Sequence, residues 1–337
     1  MFSLSPENEL KYQKFVDVFV ELPIATTVMN DFDRLRYNRK FGGDQQCMLL
    51  TGDTGSGKSF LIQEYCRRVS QTSQNPAVVL SSRIPSKPTL ESTIIELLKD
   101  LGQFGAVYRK GKSKEQSLTE SLIKSLKSQN TELIIINEFQ ELVEFQSGRA
   151  LSEIATRLKY ISEEATVPVA LVGMPWAAKI AEEPQWSSRL MIRRELLYFK
   201  LSQEPEQFIR FVKGLLKRMP FIEATKLDGK QMILALFSAS HGQIRRLKQI
   251  LNLAVQQALA EEASTVNPHH VASVFGMLFP SAKNPFLLSA EEIEGTEVAV
   301  PSHYDVGAEN KFDAVIPTQY TDLLPLSQLL RKSRNTK

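Results

Sequence analysis

The sequence of 337 residues predicts an α/β fold, in which helices cover both faces of a parallel sheet and a small helical domain follows. Two observations predict this fold. Apolar runs of strand length alternate with helix-spaced patterns up to residue 201, and beyond residue 202 only the helical patterns continue. In addition, the first apolar run leads directly into a glycine-rich loop and then into a helical pattern.

Five apolar runs carry the strand pattern. They are short and nearly continuous, which is typical of strands buried on both faces of a sheet. The first ends at Gly52 and the fourth at Gly173. The predicted strands are residues 46–51, 77–81, 133–136, 167–172 and 196–201.

Helix-spaced apolar residues fill the segments between these strands and most of the chain after them. Residues 1–40 predict one or two further short helices, and Pro23 interrupts their pattern. The predicted helices are residues 59–70, 90–101, 118–126, 151–164, 205–219, 229–240, 243–262 and 268–279.

These patterns predict four parts. They are an N-terminal helical extension (1–40), a P-loop core (41–201), a helical lid domain (202–280) and a C-terminal tail (281–337). The tail is rich in Pro, Ser, Asp and Glu, so we expect it to be extended or disordered until it meets a partner. Its leucines within residues 320–330 could form an amphipathic helix that docks on that partner, and a solvated tail is the alternative.

Composition favours a soluble protein of the cytoplasm. The chain is 42% hydrophobic and 23% charged, and it contains no uninterrupted apolar segment long enough to span a membrane. The start of the chain lacks the basic-then-apolar layout of a signal peptide. Cys47 and Cys66 lie in apolar patterns and are expected to be buried thiols in a reducing compartment. The four histidines show no metal-ligand spacing, and a net charge of +3 does not itself indicate a nucleic-acid partner.

The glycine-rich loop matches the phosphate-binding pattern G-x-x-x-x-G-K-[ST] in full. Its glycines allow backbone N–H groups to surround phosphate oxygens, with Lys58 at the β and γ phosphates and Ser59 on Mg²⁺. We therefore expect ATP and Mg²⁺ as cofactors. The predicted nucleotide-binding residues are Gly52, Asp53, Thr54, Gly55, Ser56, Gly57, Lys58, Ser59 and Phe60.

The aliphatic run at 133–136 continues into Asn137 and Glu138. Many P-loop ATPases have Asp-Glu here, where the first acid supports Mg²⁺ and the second polarises the attacking water. Glu138 is the predicted catalytic base, unless it is an ordinary acid at a strand end. Asn137 is a weaker Mg²⁺ ligand than a carboxylate, so the sequence predicts nucleotide binding with slow hydrolysis.

Two arginine clusters are candidates for phosphate contacts. Arg189 is the preferred arginine finger, presented to the nucleotide of a neighbouring subunit, and Arg193 and Arg194 are rivals. Arg245 follows Gly242, which permits a tight helix entry, and could reach the phosphates from the lid. The alternatives are surface ion pairs for the first cluster and an exposed helix arginine for Arg245.

A short basic segment is the candidate contact with a nucleic-acid backbone. Four cations and no acid lie within residues 109–114, and Tyr108 precedes them. A solvated loop is the alternative. The candidate DNA-binding residues are Lys87, Arg109, Lys110, Lys112 and Lys114.

Together these motifs resemble the AAA+ ATPases, and within them the TniB/TnsC family of regulators of Tn7-like transposons. The segments that carry the resemblance are LIIINEFQEL (133–142), VPVALVGMPW (167–176) and QWSSRLMIRR (185–194), and their order and spacing match over about residues 20–280. The form of the first segment is similar to that of the TnsC proteins of CRISPR-associated, type I-F-like elements.

The resemblance implies a bacterial protein that binds ATP, assembles into rings or filaments on double-stranded DNA and recruits a transposase. It also implies a TniQ-type target-selection protein as a partner and places Arg245 at the sensor-2 position. DNA contact through the core between the second and third strands would involve Lys87 and residues 109–114. Asn137 and Met174, which stands near a usually polar sensor-1 position, depart from the family pattern and put fast hydrolysis in doubt.

Two other functions compete with this interpretation. An AAA+ replication initiator or loader would share the core and lid, but it usually adds a C-terminal domain that the residues after Pro280 do not predict. A remodeller that threads polypeptide would need an aromatic pore loop, whereas residues 103–114 are basic.

Overall fold

The computed structural model describes residues 3–42, 46–84, 89–103, 114–144, 148–305, 307–309 and 313–334. The chain forms two compact units. The core unit comprises Pro23–Leu196 and Ser302–Pro317, and the helical unit comprises Met1–Leu22, Leu197–Pro301 and Thr318–Lys337.

The core unit is built on a five-stranded parallel sheet of order β2-β3-β4-β1-β5. The strands are β1 (Met48–Thr51), β2 (Val79–Arg83), β3 (Leu133–Asn137), β4 (Val169–Gly173) and β5 (Ile192–Glu195).

Helices connect successive strands of this sheet, as parallel connections require. Their apolar faces and the central strands form a continuous core that includes Trp186, whose indole N–H donates to the Ala155 carbonyl at 2.7 Å. The helices are α2 (Pro23–Lys40), α3 (Lys58–Thr72), α4 (Leu90–Asp100), α5 (Lys114–Ser128), α6 (Gly148–Ala165) and α7 (Pro184–Ser187), with 3-10 turns at Phe139–Leu142 and Pro175–Glu182.

The predicted α/β class and the parallel sheet are confirmed, and the first four strands lie where the apolar runs predict them. The prediction for the fifth strand was wrong: β5 lies at Ile192–Glu195, before the predicted run at 196–201. β5 is an edge strand whose residues alternate between half-buried and exposed. An edge strand of this kind contains charged residues and therefore lacks a continuous apolar run.

The helical unit is assembled from the N-terminal helix and the helices that follow the sheet. Lys248, in the helix Ile244–Ala260, donates to the carbonyls of Val16 and Val18 at 2.8 and 3.0 Å. These hydrogen bonds join that helix to the end of the N-terminal helix. The helices are α1 (Pro6–Val16), α8 (Pro205–Leu216), α9 (Lys230–Ser240), α10 (Ile244–Ala260) and α11 (Pro268–Leu278).

The segment after α11 has more structure than its composition predicts. It forms short antiparallel pairs, and each pair closes within one unit. The elements are β6 (Glu294–Gly295), β7 (Val298–Val300), β8 (His303–Tyr304), β9 (Val315–Ile316), β10 (Gln319–Tyr320), β11 (Leu324–Pro325) and α12 (Leu326–Arg334); β6 pairs with β11, β7 with β10 and β8 with β9.

Two of the leucines of α12 are not available for a partner in this arrangement. Leu326 and Leu329 are buried, and the Leu326 side chain packs so closely on Gly295 that a Cβ there would lie 2.5 Å from it. The expected extended tail is therefore a set of strands and a helix that complete the two units. The expected boundaries also differ from the observed units, since residues 23–40 group with the core and residues 1–22 with the helices.

None of the helices within the described ranges is long and apolar enough to cross a membrane.

Candidate nucleotide-binding site

The candidate site lies at the carboxyl edge of the core sheet. The register pairs Thr51, the last residue of β1, with Gly173, the last residue of β4. Asn137, the last residue of β3, pairs with Val172 of β4. The segments that leave these three strands therefore start side by side, which brings the glycine-rich loop next to Glu138 and Met174.

The glycine-rich loop leaves β1 in a shape that requires its glycines. Gly55 and Gly57 have φ angles of 80° and 100°, in the left-handed region that favours glycine. A Cβ on Gly52 would lie 2.5 Å from the Leu196 carbonyl oxygen, because residue 196 continues β5 alongside the loop. The loop ends at Gly57, and α3 begins at Lys58 with its N-terminus directed at the space that the loop encloses.

Lys58 is buried against this loop. Its Nζ donates to the carbonyl oxygens of Gly52 and Asp53 at 2.6 and 2.9 Å. The ammonium group thus lies within the loop whose backbone N–H groups would bind phosphate. The Ser56 hydroxyl, also buried, has no hydrogen-bond partner in the part of the chain that the structure describes.

The residues predicted to hold Mg²⁺ lie next to each other. Asn137 Nδ2 donates to the Ser59 hydroxyl at 3.2 Å. Asn137 Oδ1 is buried, and no described residue donates a hydrogen bond to it. A hydroxyl oxygen and an unpaired amide oxygen at the phosphate loop are neutral ligands of the kind that Mg²⁺ accepts, so these residues fit a magnesium ion and its waters.

Glu138 follows β3 in a left-handed conformation, with φ 60° and ψ 38°. Gln140, in the turn that begins at the next residue, donates from Nε2 to Glu138 Oε2 at 2.9 Å. The Gln140 Oε1 atom accepts from the Met174 backbone N–H at 3.1 Å. Sequence reasoning assigned Gln140 no role, because its contact with β4 exists only in the folded sheet.

A second pair of contacts lies beside this one. Glu144 Oε1 accepts from the Trp176 indole N–H at 2.8 Å. Burial raises the pKa of Glu144, the indole donor opposes that shift, and the charges of Glu141 and Glu138 add to it. The Trp176 ring also contacts the Tyr304 ring of β8, with centroids 6.4 Å apart.

The C-terminal segment of the core unit reaches the glycine-rich loop itself. The Ser302 backbone N–H lies 3.2 and 3.3 Å from the two carboxylate oxygens of Asp53, and the Ser302 hydroxyl donates to the same carboxylate. Both residues are buried. Nothing in the sequence predicted this contact, which joins positions 249 residues apart.

The candidate finger arginines differ in their surroundings. Arg189 forms an ion pair with Glu163 of α6. Arg194 binds the buried Asp31 of α2 at 2.7 Å and so has a structural role between α2 and β5. Arg193 is exposed on the edge strand, and its Nε donates to the Leu190 carbonyl at 3.0 Å.

Arg245 lies in the first turn of α10 in the helical unit and is exposed. The helix entry before it is as tight as predicted, since Gly242 has φ 75° and a Cβ there would lie 2.2 Å from the Phe199 carbonyl oxygen. His241, which caps α9, has its pKa lowered to about 4 by burial and by the charge of Arg246.

The predicted DNA-binding residues lie mostly outside the described residues. This applies to Lys87, Arg109, Lys110 and Lys112. Lys114 begins α5.

The fold brings together one histidine cluster that spacing did not predict. Glu261, His269 and His270 place a ligand atom each within 4.8 Å of one another in the helical unit. However, His270 Nδ1 accepts the Asn267 backbone N–H at 2.9 Å, which leaves the ring proton on Nε2 facing Glu261. That nitrogen therefore donates to Glu261 and has no lone pair for a metal, so His270 is part of a helix cap and its imidazole N–H forms a hydrogen bond with Glu261.

Solved structures with a similar fold include ORC and CDC6P proteins. The Aeropyrum pernix ORC2 protein in ADPNP–ADP complexes superposes with a TM-score of 0.58 at 17% identity, covering 78% of this chain and 71% of that one. The Aeropyrum pernix ORC1 protein in complex with DNA gives 0.55 at 19% identity, covering 79% and 69%. The CDC6P protein from Pyrobaculum aerophilum gives 0.58 at 12% identity, covering 78% and 69%.

These likenesses, all below 25% identity, concern the fold alone. No curated protein matches the chain in sequence. A family model described as "Bacterial TniB protein" matches residues 12–197, which is more than half of the 337 residues. The sequence and the fold therefore agree, and this chain belongs to the bacterial TniB family.

Proposed function

We propose that this protein is an ATP-dependent regulator of DNA transposition. It binds ATP and Mg²⁺ at the edge of its core sheet, assembles as rings or filaments on double-stranded target DNA, and links a TniQ-type target-selection protein to the transposase. The observation that carries the proposal is the glycine-rich loop beside Glu138, within a chain of the TniB family. An association with a CRISPR-type selector is part of the same proposal.

Nucleotide binding is assigned to the loop and the first turn of α3. Backbone N–H groups of the loop bind the phosphates, and Lys58 exchanges its two loop carbonyls for phosphate oxygens of higher charge. The Ser59 hydroxyl and Asn137 Oδ1 hold Mg²⁺ or its waters. Glu138 polarises the attacking water.

Assembly is assigned to a nucleotide site completed by a neighbouring subunit. An arginine of the neighbour stabilises the negative charge that develops on the phosphate. Arg193 is exposed and available for this contact, whereas Arg189 must first leave Glu163. A phosphate contact of Arg245, and contact of Lys87 and residues 109–114 with the DNA backbone, are part of the same proposal.

The proposal is tested by electron microscopy of the purified protein with ATP and duplex DNA. We expect rings or filaments that require both ligands, and we expect Lys58→Ala to abolish them because the loop loses its phosphate cation. The matched control is Lys230→Ala, which removes an exposed lysine of α9 in the helical unit. Assembly by the Lys58 variant equal to that of the control would contradict the proposal.

A replication initiator or loader is the second candidate. Its support is a fold similar to that of ORC proteins, one of them solved in complex with DNA. A transposition assay with the matching transposase and selector separates the two functions. The proposed regulator directs insertion in that assay, whereas an initiator leaves insertion unchanged and alters replication of an origin plasmid.

A further inference from the structure

The turn after β3 contains a buried glutamine that joins two strand ends at the candidate site. Gln140 donates to the Glu138 carboxylate at 2.9 Å and accepts the Met174 N–H at 3.1 Å. The second contact fixes the first, because an amide whose oxygen faces a backbone N–H must direct its NH₂ group toward the carboxylate. The carboxamide therefore has one orientation that satisfies both partners.

The close approach of β4 to this side chain depends on a glycine. A Cβ on Gly173 would lie 2.7 Å from Gln140 Oε1 and 3.1 Å from the Gln140 backbone nitrogen. Gly173 is the last residue of β4, so the strand end and the carboxamide are in direct contact. Met174, the next residue, has an apolar side chain, and the polar group at this point is the Gln140 amide.

Glu138 needs such a support for two physical reasons. Its backbone is left-handed, a conformation that non-glycine residues adopt only where surrounding contacts hold it. It also lies near other acids, since the charges of Glu138 and Glu141 both raise the pKa of Glu144. A hydrogen bond donated to Oε2 fixes the direction of the carboxylate and leaves Oε1 to accept a proton from water.

We propose that Gln140 is a positioning residue for ATP hydrolysis, which ties the carboxylate of Glu138 to the end of β4. This inference rests on the hydrolytic part of the proposed function. It predicts that loss of the tie lowers turnover and leaves ATP binding intact, because Gln140 contacts the base and not the phosphate loop.

The first measurement separates turnover from binding. Gln140→Met keeps the length of an unbranched side chain without its hydrogen bonds, and Gln140→Glu keeps the acceptor but lacks the donor. We expect both variants to hydrolyse ATP about tenfold more slowly in single turnover, with the ATP dissociation constant within about twofold of the wild type. The control is Gln129→Met, which removes a hydrogen bond to the Leu101 carbonyl before the opposite end of β3.

The second measurement asks whether Gln140 acts through Glu138. In a Glu138→Gln background, the added Gln140→Met change should leave the remaining hydrolysis rate unchanged, because the group that Gln140 positions is already lost. A merely structural role would lower the rate in both backgrounds and would lower the midpoint of thermal unfolding more than the Gln129 control does.

The outcomes distinguish this inference from the function on which it rests. A wild-type protein that binds no ATP contradicts the proposed function and the inference together. If the wild type hydrolyses ATP and Gln140→Met hydrolyses it at an equal or higher rate, the inference alone is contradicted. It is also contradicted if the Gln140→Met change lowers the hydrolysis rate by the same factor in the Glu138→Gln background. A tenfold loss of hydrolysis rate that occurs only when Glu138 is present supports the inference.

Discussion

At the residue scale, the strength of the proposed magnesium site depends on one amide at the end of β3. Asn137 presents a neutral oxygen where a carboxylate would add a full negative charge, and its Nδ2 already donates to the other candidate ligand, Ser59. A neutral ligand binds Mg²⁺ less strongly than a carboxylate, and this weakens the stabilisation of charge during phosphoryl transfer. We therefore propose that Asn137 slows hydrolysis, so that the protein holds ATP for longer than a fast ATPase would.

The corresponding prediction concerns Asn137→Asp. We expect ATP hydrolysis to rise by about tenfold, since charge-assisted contacts are roughly twice as strong as neutral ones and a tenfold rate change needs only about 1.4 kcal/mol. The measurement is hydrolysis as a function of Mg²⁺ concentration, where the half-saturating concentration should fall. Asn137→Ala is the control that removes the ligand, and turnover unchanged in the Asp variant would disprove the proposal that Asn137 slows hydrolysis.

Some residues of the candidate site can be predicted from the sequence and others cannot. The loop residues and Glu138 are predictable because phosphate binding fixes their spacing along the chain, next to a strand that its apolar run identifies. Gln140 lies shortly after the predicted strand at 133–136, yet its partner Met174 lies 34 residues away, directly after another strand. Only strand order makes them neighbours.

At the element scale, a short hairpin from the C-terminal region completes the core unit. β8 and β9 pair with each other, and Ser302 immediately before β8 binds the carboxylate of Asp53 in the glycine-rich loop. Asp53 is a buried anion in a loop that is predicted to receive phosphate. The two Ser302 donors stabilise that anion, which would otherwise be costly to bury.

This contact predicts the effect of Ser302→Ala. We expect the free energy of unfolding to fall by about 1–3 kcal/mol, because the variant removes a hydrogen bond to a buried charged group. Denaturant titration measures the change, and Ser187→Ala is the control, since Ser187 is exposed and donates only to a carbonyl nearby in the chain. Equal unfolding midpoints for the two variants would contradict the role of Ser302.

The fifth strand shows why apolar periodicity led to one wrong prediction. β5 contains Arg193 and Arg194 and pairs only with β1, so its charged residues do not have to be buried on both faces. The apolar run that follows, at 196–201, looked more like a strand but belongs mainly to the helical unit. Because β5 is partly buried on one face only, it lacks the continuous apolar run on which the strand prediction depended.

At the scale of the whole molecule, the proposed assembly on DNA depends on charge that is concentrated in one segment. The net charge is only +3, so general attraction to DNA is weak and the cations of residues 109–114 carry the proposed contact. Contacts of lysine and arginine with phosphates release counterions, which makes affinity fall with salt by a slope of about 0.9 per contact.

The whole-molecule prediction is a change in that slope. Replacing Arg109, Lys110 and Lys112 together with glutamine should weaken DNA binding and lower the log–log salt slope by up to about 2.7, as expected for three lost phosphate contacts. Fluorescence anisotropy with duplex DNA at several salt concentrations measures the slope. Lys217→Gln, Lys226→Gln and Lys230→Gln together are the control for the loss of three charges, and an equal slope in the two sets would mean that the segment does not contact DNA.

The sequence by itself determined the fold class, the first four strands, the phosphate-binding loop and the family resemblance, because these depend on local spacing and apolar periodicity. The tertiary structure decided which distant groups meet. It placed Gln140 between Glu138 and β4, brought Ser302 to Asp53, and buried Leu326 and Leu329 of α12. These contacts arise from the strand order and from close packing, which bring together residues that no local pattern relates.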